Sequence, residues 1–234
     1  QTPFPPPPLL ETVRPMSLAL SHPALSDLAR TAKRRIPHFV WEYLDAATGT
    51  EATLRRTRAA LDAVSFMPSI LHGEVAPDLS ATLFGQTHPL PVGIAPVGVV
   101  STPQSEQQVS GLVWPGAEHH LARFAARAGL PYTLSTVATR TPEDLARDIG
   151  EHAWFQLYPP RDPGIRADAL ARAKKAGFTA LVLTVDVPVA SRRERQTRGG
   201  LTQPPRLTPR LALQAAMRPA WLKGIAERGM PRMR

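Results

Sequence analysis

The 234-residue sequence contains no cysteine and no long apolar run. Without cysteine there is no disulfide framework, no thiolate nucleophile and no cysteine-ligated zinc or iron–sulfur site. No stretch approaches the roughly 18 apolar residues of a membrane-spanning helix, and the first residues lack the basic, apolar and small-residue layout of a secretory signal. We therefore expect a cytoplasmic chain, without a metal site, whose redox chemistry depends on a bound cofactor.

The positive charge is concentrated at one end of the chain. The formal net charge is +9, from 28 basic and 19 acidic residues. Residues 190–234 hold 11 basic and 2 acidic residues, so residues 1–189 carry 17 of each and are neutral. A protein that binds nucleic acid over its whole surface would not divide its charge in this way, and no nucleic-acid-binding motif accompanies it. We expect no nucleic-acid partner and instead a local anionic partner or surface.

Residues 1–15 read QTPFPPPPLLETVRP and show neither helical nor strand periodicity. Such a proline-rich segment forms polyproline II or coil but no core. It predicts a disordered tail over 1–15, or alternatively a ligand for an aromatic groove, followed by a folded region over 16–234. Helices are predicted over 23–32 and 37–47, the second with Val40, Tyr43, Leu44 and Ala47 on one apolar stripe.

From residue 89 onward, short apolar runs alternate with amphipathic segments. Strands are predicted over 89–96, 131–136, 153–158 and 178–186, with helices over 115–129, 142–149 and 162–177 between them. The last strand is apolar on both faces, which predicts a covering layer on each side. This alternation is typical of parallel strands joined by right-handed crossovers.

Two α/β architectures use this alternation, the doubly wound sheet and the (β/α)8 TIM barrel. The doubly wound sheet usually has a GxGxxG turn after its first strand, and this sequence has none. Polar residues do follow three successive strands, at the rim where barrel enzymes place their sites, although such groups also cap strands and helices. They are Ser135 and Thr136, then Gln156 and Tyr158, then Thr184 and Asp186. We predict about four β/α units, half of a TIM barrel, after an N-terminal helical segment.

Five stretches of the sequence carry a family resemblance, in family order and with similar spacing. They are FVWEYLDAATGTEATLRR (39–56), LFGQTHPLPVGIAPVG (83–98), LVWPGAEHHLARFAARAGLPYTLST (112–136), WFQLYPPRD (154–162) and AGFTALVLTVDVPVASRRER (176–195). The chain resembles the N-terminal half of the FMN-dependent α-hydroxy acid dehydrogenases and oxidases, the group of glycolate oxidase, L-lactate dehydrogenase and mandelate dehydrogenase. The resemblance implies the barrel fold, FMN as cofactor and a small 2-hydroxy acid as substrate.

The resemblance also implies roles for ten residues. Three match groups on the substrate side, where the acid's carboxylate binds: Tyr43, Tyr158 and Arg193. The backbone of Ala95, Pro96, Val97 and Gly98 matches the segment that packs along the flavin ring. Ser135, Gln156 and Thr184 match groups that hydrogen-bond the ring's polar edge.

Two of these residues can also be interpreted without the resemblance. Tyr43 lies on the apolar stripe of its helix, which alone favours a core aromatic with a satisfied hydroxyl. Gln156 stands between Phe155 and Leu157 in a buried strand. Its amide therefore needs a partner, and a heterocycle with donors and acceptors supplies one.

The sequence departs from the family pattern at three places. A polar stretch over 99–110 intervenes after Gly98, and Val137 stands where the family often has Trp. In the family, the catalytic general base is a His in an SNHGGRQ motif, and a Lys and an Arg accompany it. None of these motifs occurs in this sequence. None of the seven histidines matches that His, so no catalytic residue is predicted and we expect the chain alone to be inactive.

The predicted function is FMN-dependent oxidation of a lactate-like L-2-hydroxy acid to the 2-oxo acid. Quinone, cytochrome and oxygen are alternative electron acceptors, and the full-length form is expected to be a homo-oligomer. The rival hypothesis is a non-catalytic truncated fragment or a basic segment that binds a membrane surface.

Residues 206–234 form a basic amphipathic excursion after the fourth strand. Leucines, Met217 and Trp221 alternate with basic residues, a pattern that suits an anionic membrane surface and predicts a peripheral location at the inner face of the membrane. The resemblance implies that this loop docks membrane-associated family members. The alternative is a solvated excursion that packs on the barrel or on a neighbouring subunit.

Overall fold

The computed structural model describes residues 20–71, 73–98, 113–186, 192–201 and 208–228. The predicted tail over 1–15 and the polar stretch over 99–110 lie outside these residues, as do both ends of the segment over 206–234. Within these ranges, none of the helices has the length and apolar character needed to cross a bilayer.

The N-terminal part consists of helices α1 (Leu25–Arg35), α2 (His38–Asp45) and α3 (Ala52–Asp62), followed by an antiparallel hairpin of β1 (Ala81–Leu83) and β2 (Gln86–His88). Pro37 separates the first two helices. The residue before a proline is pushed into extended backbone, and Ile36 accordingly ends α1 with φ −107° and ψ 153°. Both helices predicted from the sequence are therefore present, with shifted ends.

The apolar stripe predicted for α2 is wrong in detail. The helix ends at Asp45, before Ala47, and Leu44 is 51% exposed. Val40, a member of the predicted stripe, is buried as expected, together with Phe39 and Trp41, which the prediction left out. C-terminal helices cover this side of α2. The pattern of strands and helices in the sequence does not predict that contact.

A parallel sheet follows, built from β3 (Tyr132–Ser135), β4 (Ala153–Leu157) and β5 (Ala180–Leu183) in that spatial order. Helix α4 (Ala117–Ala128) precedes β3, while α5 (Pro142–Leu145) and α6 (Pro163–Lys175) form the two crossovers. The predicted alternation of strands and helices is thus confirmed.

The predicted first strand over 89–96 is reduced to one bridge. Ile94 pairs in parallel with Tyr132; its amide donates to Pro131 (2.8 Å) and its carbonyl accepts from Thr133 (3.0 Å). Prolines at 89, 91 and 96 remove backbone donors and prevent a longer ladder. The four parallel segments still follow each other in chain order, without the reversal that a doubly wound sheet requires, which favours the barrel.

The main core lies between this sheet and helices α4 to α6. Its buried residues include Ala122, Ala125, Leu130, Leu134, Leu145, Phe155, Leu157, Ala173 and Phe178. The prediction that a layer of structure covers each face of the last strand is wrong for this structure, because Leu181 and Leu183 are 50% and 52% exposed. β5 is the edge of the described sheet, and neighbours cover only part of its side chains.

The C-terminal helices are α7 (Glu194–Gly199), α8 (Pro209–Ala216) and α9 (Pro219–Arg228). They form a second core with α2, in which the ring of Trp221 meets that of Phe39 edge-on at 6.2 Å. Gln214 accepts a hydrogen bond from the amide of Phe39 (3.0 Å), and Arg218 donates to the carbonyl of Ile36 (3.0 Å). Much of the basic segment therefore packs on the N-terminal helices.

Candidate functional site

Three polar side chains form a hydrogen-bond relay across the carboxyl ends of the sheet. The hydroxyl of Ser135 donates to the amide oxygen of Gln156 (2.7 Å), and the amide nitrogen of Gln156 donates to the hydroxyl of Thr184 (2.8 Å). The parallel register places Ser135 directly opposite Gln156. The sequence prediction that these residues meet at one rim is confirmed by this geometry.

Two of the three members of the relay are buried, and the backbone around them is also hydrogen-bonded. Gln156 is 2% exposed and Ser135 is 4% exposed. Thr136 donates its hydroxyl proton to the carbonyl of Gln156 and accepts from the amide of Tyr158, and Ser135 accepts from the amide of Val137 (3.3 Å). Because both ends of the Gln156 amide have partners, its donor and acceptor point in defined directions along the rim.

Gly98 connects this relay to the N-terminal helices. A Cβ atom at this position would lie 2.5 Å from Val137 Cγ2 and 2.6 Å from the Ser135 hydroxyl, so a side chain is excluded. On its other side, the carbonyl of Gly98 accepts a hydrogen bond from the hydroxyl of Tyr43 (2.9 Å). The predicted flavin-side and substrate-side residues therefore meet at Gly98.

The predicted substrate-side residues lie near one another. The guanidinium carbon of Arg193 is 5.7 Å from the centre of the Tyr43 ring, a cation–π distance. Burial raises the pKa of Tyr43, Arg193 opposes this increase, and Tyr158 adds to it. The phenol of Tyr43 therefore stays protonated at neutral pH, and its single hydroxyl proton is donated to the carbonyl of Gly98.

The remaining flavin-side residues provide an open surface. Ala95, Pro96 and Val97 are exposed and follow the bridge at Ile94. Val137, which stands where the family often has Trp, touches Gly98 instead of extending the rim.

Two of the described histidines form a pair away from the relay. His88 and His152 stack edge-on at 4.6 Å, with His152 directly before β4, on the rim opposite the relay. The described ranges hold no group of three or more His, Asp or Glu side chains that suits a metal ion.

Sequence reasoning missed two features of the site. The hydrogen bond from Tyr43 to Gly98 has no local signal, because 55 residues separate the partners. A cluster of carboxylates around Arg195 was also missed, although this arginine stands in the RRER sequence next to Arg193. The available signal in the sequence was the positive charge of Arg195, two residues after the predicted substrate-side residue Arg193.

Comparisons with known proteins identify the family of this chain. Residues 32–233 match the family described as FMN-dependent dehydrogenase. The chain belongs to this family. FMN is the cofactor on which the family depends, and the resemblance found in the sequence motifs is confirmed.

Similar proteins include L-lactate dehydrogenases. That of Pseudomonas paraeruginosa is 38% identical over 208 residues, which cover 89% of this chain and 52% of that protein. That of Xanthobacter autotrophicus is 36% identical over 206 residues, covering 88% and 50%. The chain thus spans about half the length of these relatives.

Solved structures show the same half-length match. The crystal structure of the monotopic membrane protein (S)-mandelate dehydrogenase superposes with a TM-score of 0.78 at 30% identity, over 89% of this chain and 53% of that one. Mandelate oxidase with benzoyl-formic acid gives a TM-score of 0.67 at 35% identity, over 81% and 52%. The fold of this chain is accordingly that of the N-terminal portion of these flavoenzymes.

Proposed function

We propose that this chain provides the flavin-contacting and carboxylate-binding part of an FMN-dependent enzyme that oxidises an L-2-hydroxy acid to the 2-oxo acid. The observation that carries the proposal is the position of Gly98 between the Ser135–Gln156–Thr184 relay and the Tyr43–Arg193 pair. A cofactor on one side and an acid substrate on the other would meet at this residue.

The described residues fit FMN. Gly98 carries no side chain that would fill the space at the rim. The exposed backbone of residues 95–97 offers a surface for a flat ring. Gln156 and its hydroxyl partners supply the donors and acceptors that a flavin's polar edge needs. Bound FMN supplies the two-electron acceptor for oxidation at the substrate's α-carbon.

The substrate-side residues bind and orient the acid. Arg193 offers a guanidinium that suits a carboxylate, and Tyr158 adds a phenol donor. Tyr43 would donate to the acid by exchanging its present acceptor, the carbonyl of Gly98. A carboxylate fixed there orients the α-carbon toward the rim where Gly98 lies. The 234 residues contain no SNHGGRQ-like motif, so no proton-transfer step is assigned to any of them.

The test uses the chain loaded with FMN and titrated with oxalate, a dicarboxylate that is not oxidised by this chemistry. We expect a saturable change in flavin absorbance that weakens at least roughly tenfold in Arg193→Ala, because a charge-assisted contact is lost. Arg192→Ala is the matched control, since this neighbouring arginine is exposed. No absorbance change in the wild type, or equal affinity in both variants, would contradict the proposed function.

A second proposal, docking on an anionic membrane, rests on the exposed apolar residues of α8 and α9. Leu213, Met217 and Leu222 are 62%, 55% and 38% exposed, among four basic side chains. Those basic residues are Arg210, Arg218, Lys223 and Arg228. The similar (S)-mandelate dehydrogenase is a monotopic membrane protein, which supports a peripheral membrane location for this chain. The basic charge of the segment favours the anionic inner face.

Trp221, which the sequence pattern places among the membrane-facing apolar residues, is not available to lipid, because its ring is 4% exposed and packs against Phe39. The test is co-sedimentation with vesicles. Binding should require anionic lipid, weaken with salt, and fall when Leu213 and Leu222 become Ser. Equal binding to neutral vesicles, or none to anionic ones, would reject membrane docking.

A further inference from the structure

Arg195 forms a hub with three carboxylates. Its Nε and Nη2 atoms donate to the two oxygens of Glu42 (2.8 and 3.1 Å). Nη2 also donates to Asp45 (2.9 Å), and Nη1 donates to Glu51 (2.9 Å). The guanidinium therefore uses all three nitrogens, in the fork geometry that lysine cannot reproduce.

The carboxylates come from both sides of Tyr43. Glu42 and Asp45 lie on α2, immediately before and two residues after it. Glu51 precedes α3 in left-handed backbone (φ 59°), and its carboxylate also accepts from the amide of Ala47 (3.2 Å). One side chain thus fixes the helix that carries Tyr43 and the turn that follows it.

Arg195 lies on α7, whose first turn directly follows Arg193. Two further contacts hold α7 close to this region. A Cβ atom at Gly199 would lie 3.1 Å from Glu42 Cβ, and Glu194 accepts a hydrogen bond from the amide of Gly49 (2.9 Å). This docking places the guanidinium of Arg193 over the Tyr43 ring.

The hub also sets the local charge. Hydrogen bonds from Arg195 lower the pKa values of Glu42 and Glu51, so both are ionised at neutral pH. Without Arg195, three carboxylates on either side of Tyr43 would lose the arginine that pairs them and would repel one another. With it, the acids already have a partner.

We propose that Arg195 is a positioning residue for carboxylate recognition, which holds α7, and with it Arg193, against the helix that carries Tyr43. The identity of the ligand rests on the proposed function, whereas the positioning itself rests on the hub geometry alone.

The test is NMR of the FMN-loaded chain with labelled tyrosine and arginine side chains. The sequence has three tyrosines, and the Tyr43 signal is assigned by its loss in Tyr43→Phe. Two quantities are measured: the nuclear Overhauser contact between the Tyr43 ring and Arg193, and the affinity for oxalate from the shift of the Tyr43 signal. Arg172→Ala is the matched control, because it removes another arginine fork, on Glu143, between α5 and α6.

In Arg195→Ala the contact between Tyr43 and Arg193 should disappear, and oxalate affinity should fall roughly tenfold or more. Arg195→Lys should retain an intermediate affinity, and Arg172→Ala should leave both quantities unchanged. If Arg195→Ala does not fold, the Lys variant decides, since equality with the wild type would overturn the proposal. A contact and affinity in Arg195→Ala equal to those in Arg172→Ala would also overturn it.

The two proposals fail in different ways. A wild-type Tyr43 signal that ignores oxalate would reject the carboxylate substrate and with it the proposed function. The ring contact measured without oxalate would still decide whether Arg195 positions Arg193.

Discussion

Replacing Gln156 with leucine removes the central member of the relay without leaving a large cavity, because the two side chains have similar volumes. Ser135, which is 4% exposed, loses the acceptor of its hydroxyl proton. A buried hydroxyl without a partner costs about 1–3 kcal/mol. Thr184 is only half-buried, so water can replace its partner at lower cost. We expect the free energy of unfolding to fall by about 1–3 kcal/mol.

The assay is urea unfolding of the wild type, Gln156→Leu, and the double variant Ser135→Ala/Gln156→Leu. Removing both partners leaves no unpaired hydroxyl at position 135, so the double variant should recover part of the lost stability. Recovery is not complete, because the amide of Val137 loses Ser135 as its acceptor. FMN affinity should not recover, because the amide is absent in both variants. A single variant as stable as the wild type, or a double variant in which FMN binding returns, would refute this reasoning.

Three further outcomes follow from described contacts. Arg193→Ala should raise the pKa of Tyr43 further, since Arg193 opposes the effect of burial; an unchanged phenolate titration by near-ultraviolet absorbance would contradict this. Burial, reinforced by His88, lowers the pKa of His152, so folding becomes less stable as the pH falls below about 6.5. In His152→Gln the loss of folding stability over this pH range, measured from urea midpoints, should be smaller. A loss as large as that of the wild type would exclude His152 as its source. Trp221→Ala should lower the free energy of unfolding, measured with urea, by about 3–5 kcal/mol, because the ring is buried. A decrease below about 1 kcal/mol would indicate that the ring lies at the surface.

The parts of the fold that the sequence predicts correctly depend on local periodicity. Strand and helix alternation is visible in runs of a few residues, and the polar residues at successive strand ends stand out against apolar neighbours. Parallel pairing then brings Ser135, Gln156 and Thr184 together without further information. The relay was predictable for this reason, although its exact hydrogen bonds were not.

The parts that the sequence does not predict depend on distant contacts. Arg195 reaches Glu42 across 153 positions, and Gln214 reaches Phe39 across 175. Periodicity within α2 cannot reveal that α8 and α9 pack against this helix, so the prediction included the exposed Leu44 and left out Phe39 and Trp41. The same packing takes Trp221 away from the surface. The functional roles implied for the site residues by the family resemblance stay predictions until ligand binding is measured.

The most direct test of the account is a calorimetric titration of the purified chain with FMN. We expect saturable binding of one FMN per chain, lost or weakened at least roughly tenfold in Gly98→Ala, because a Cβ atom there would displace Ser135 and Val137 from the rim. Gly85→Ala is the control, since a Cβ atom there meets nothing within 4 Å and the strain from its positive φ falls on the turn between β1 and β2, outside the rim. No FMN binding by the wild type, or equal binding by both variants, would contradict the assignment of this rim as the flavin site.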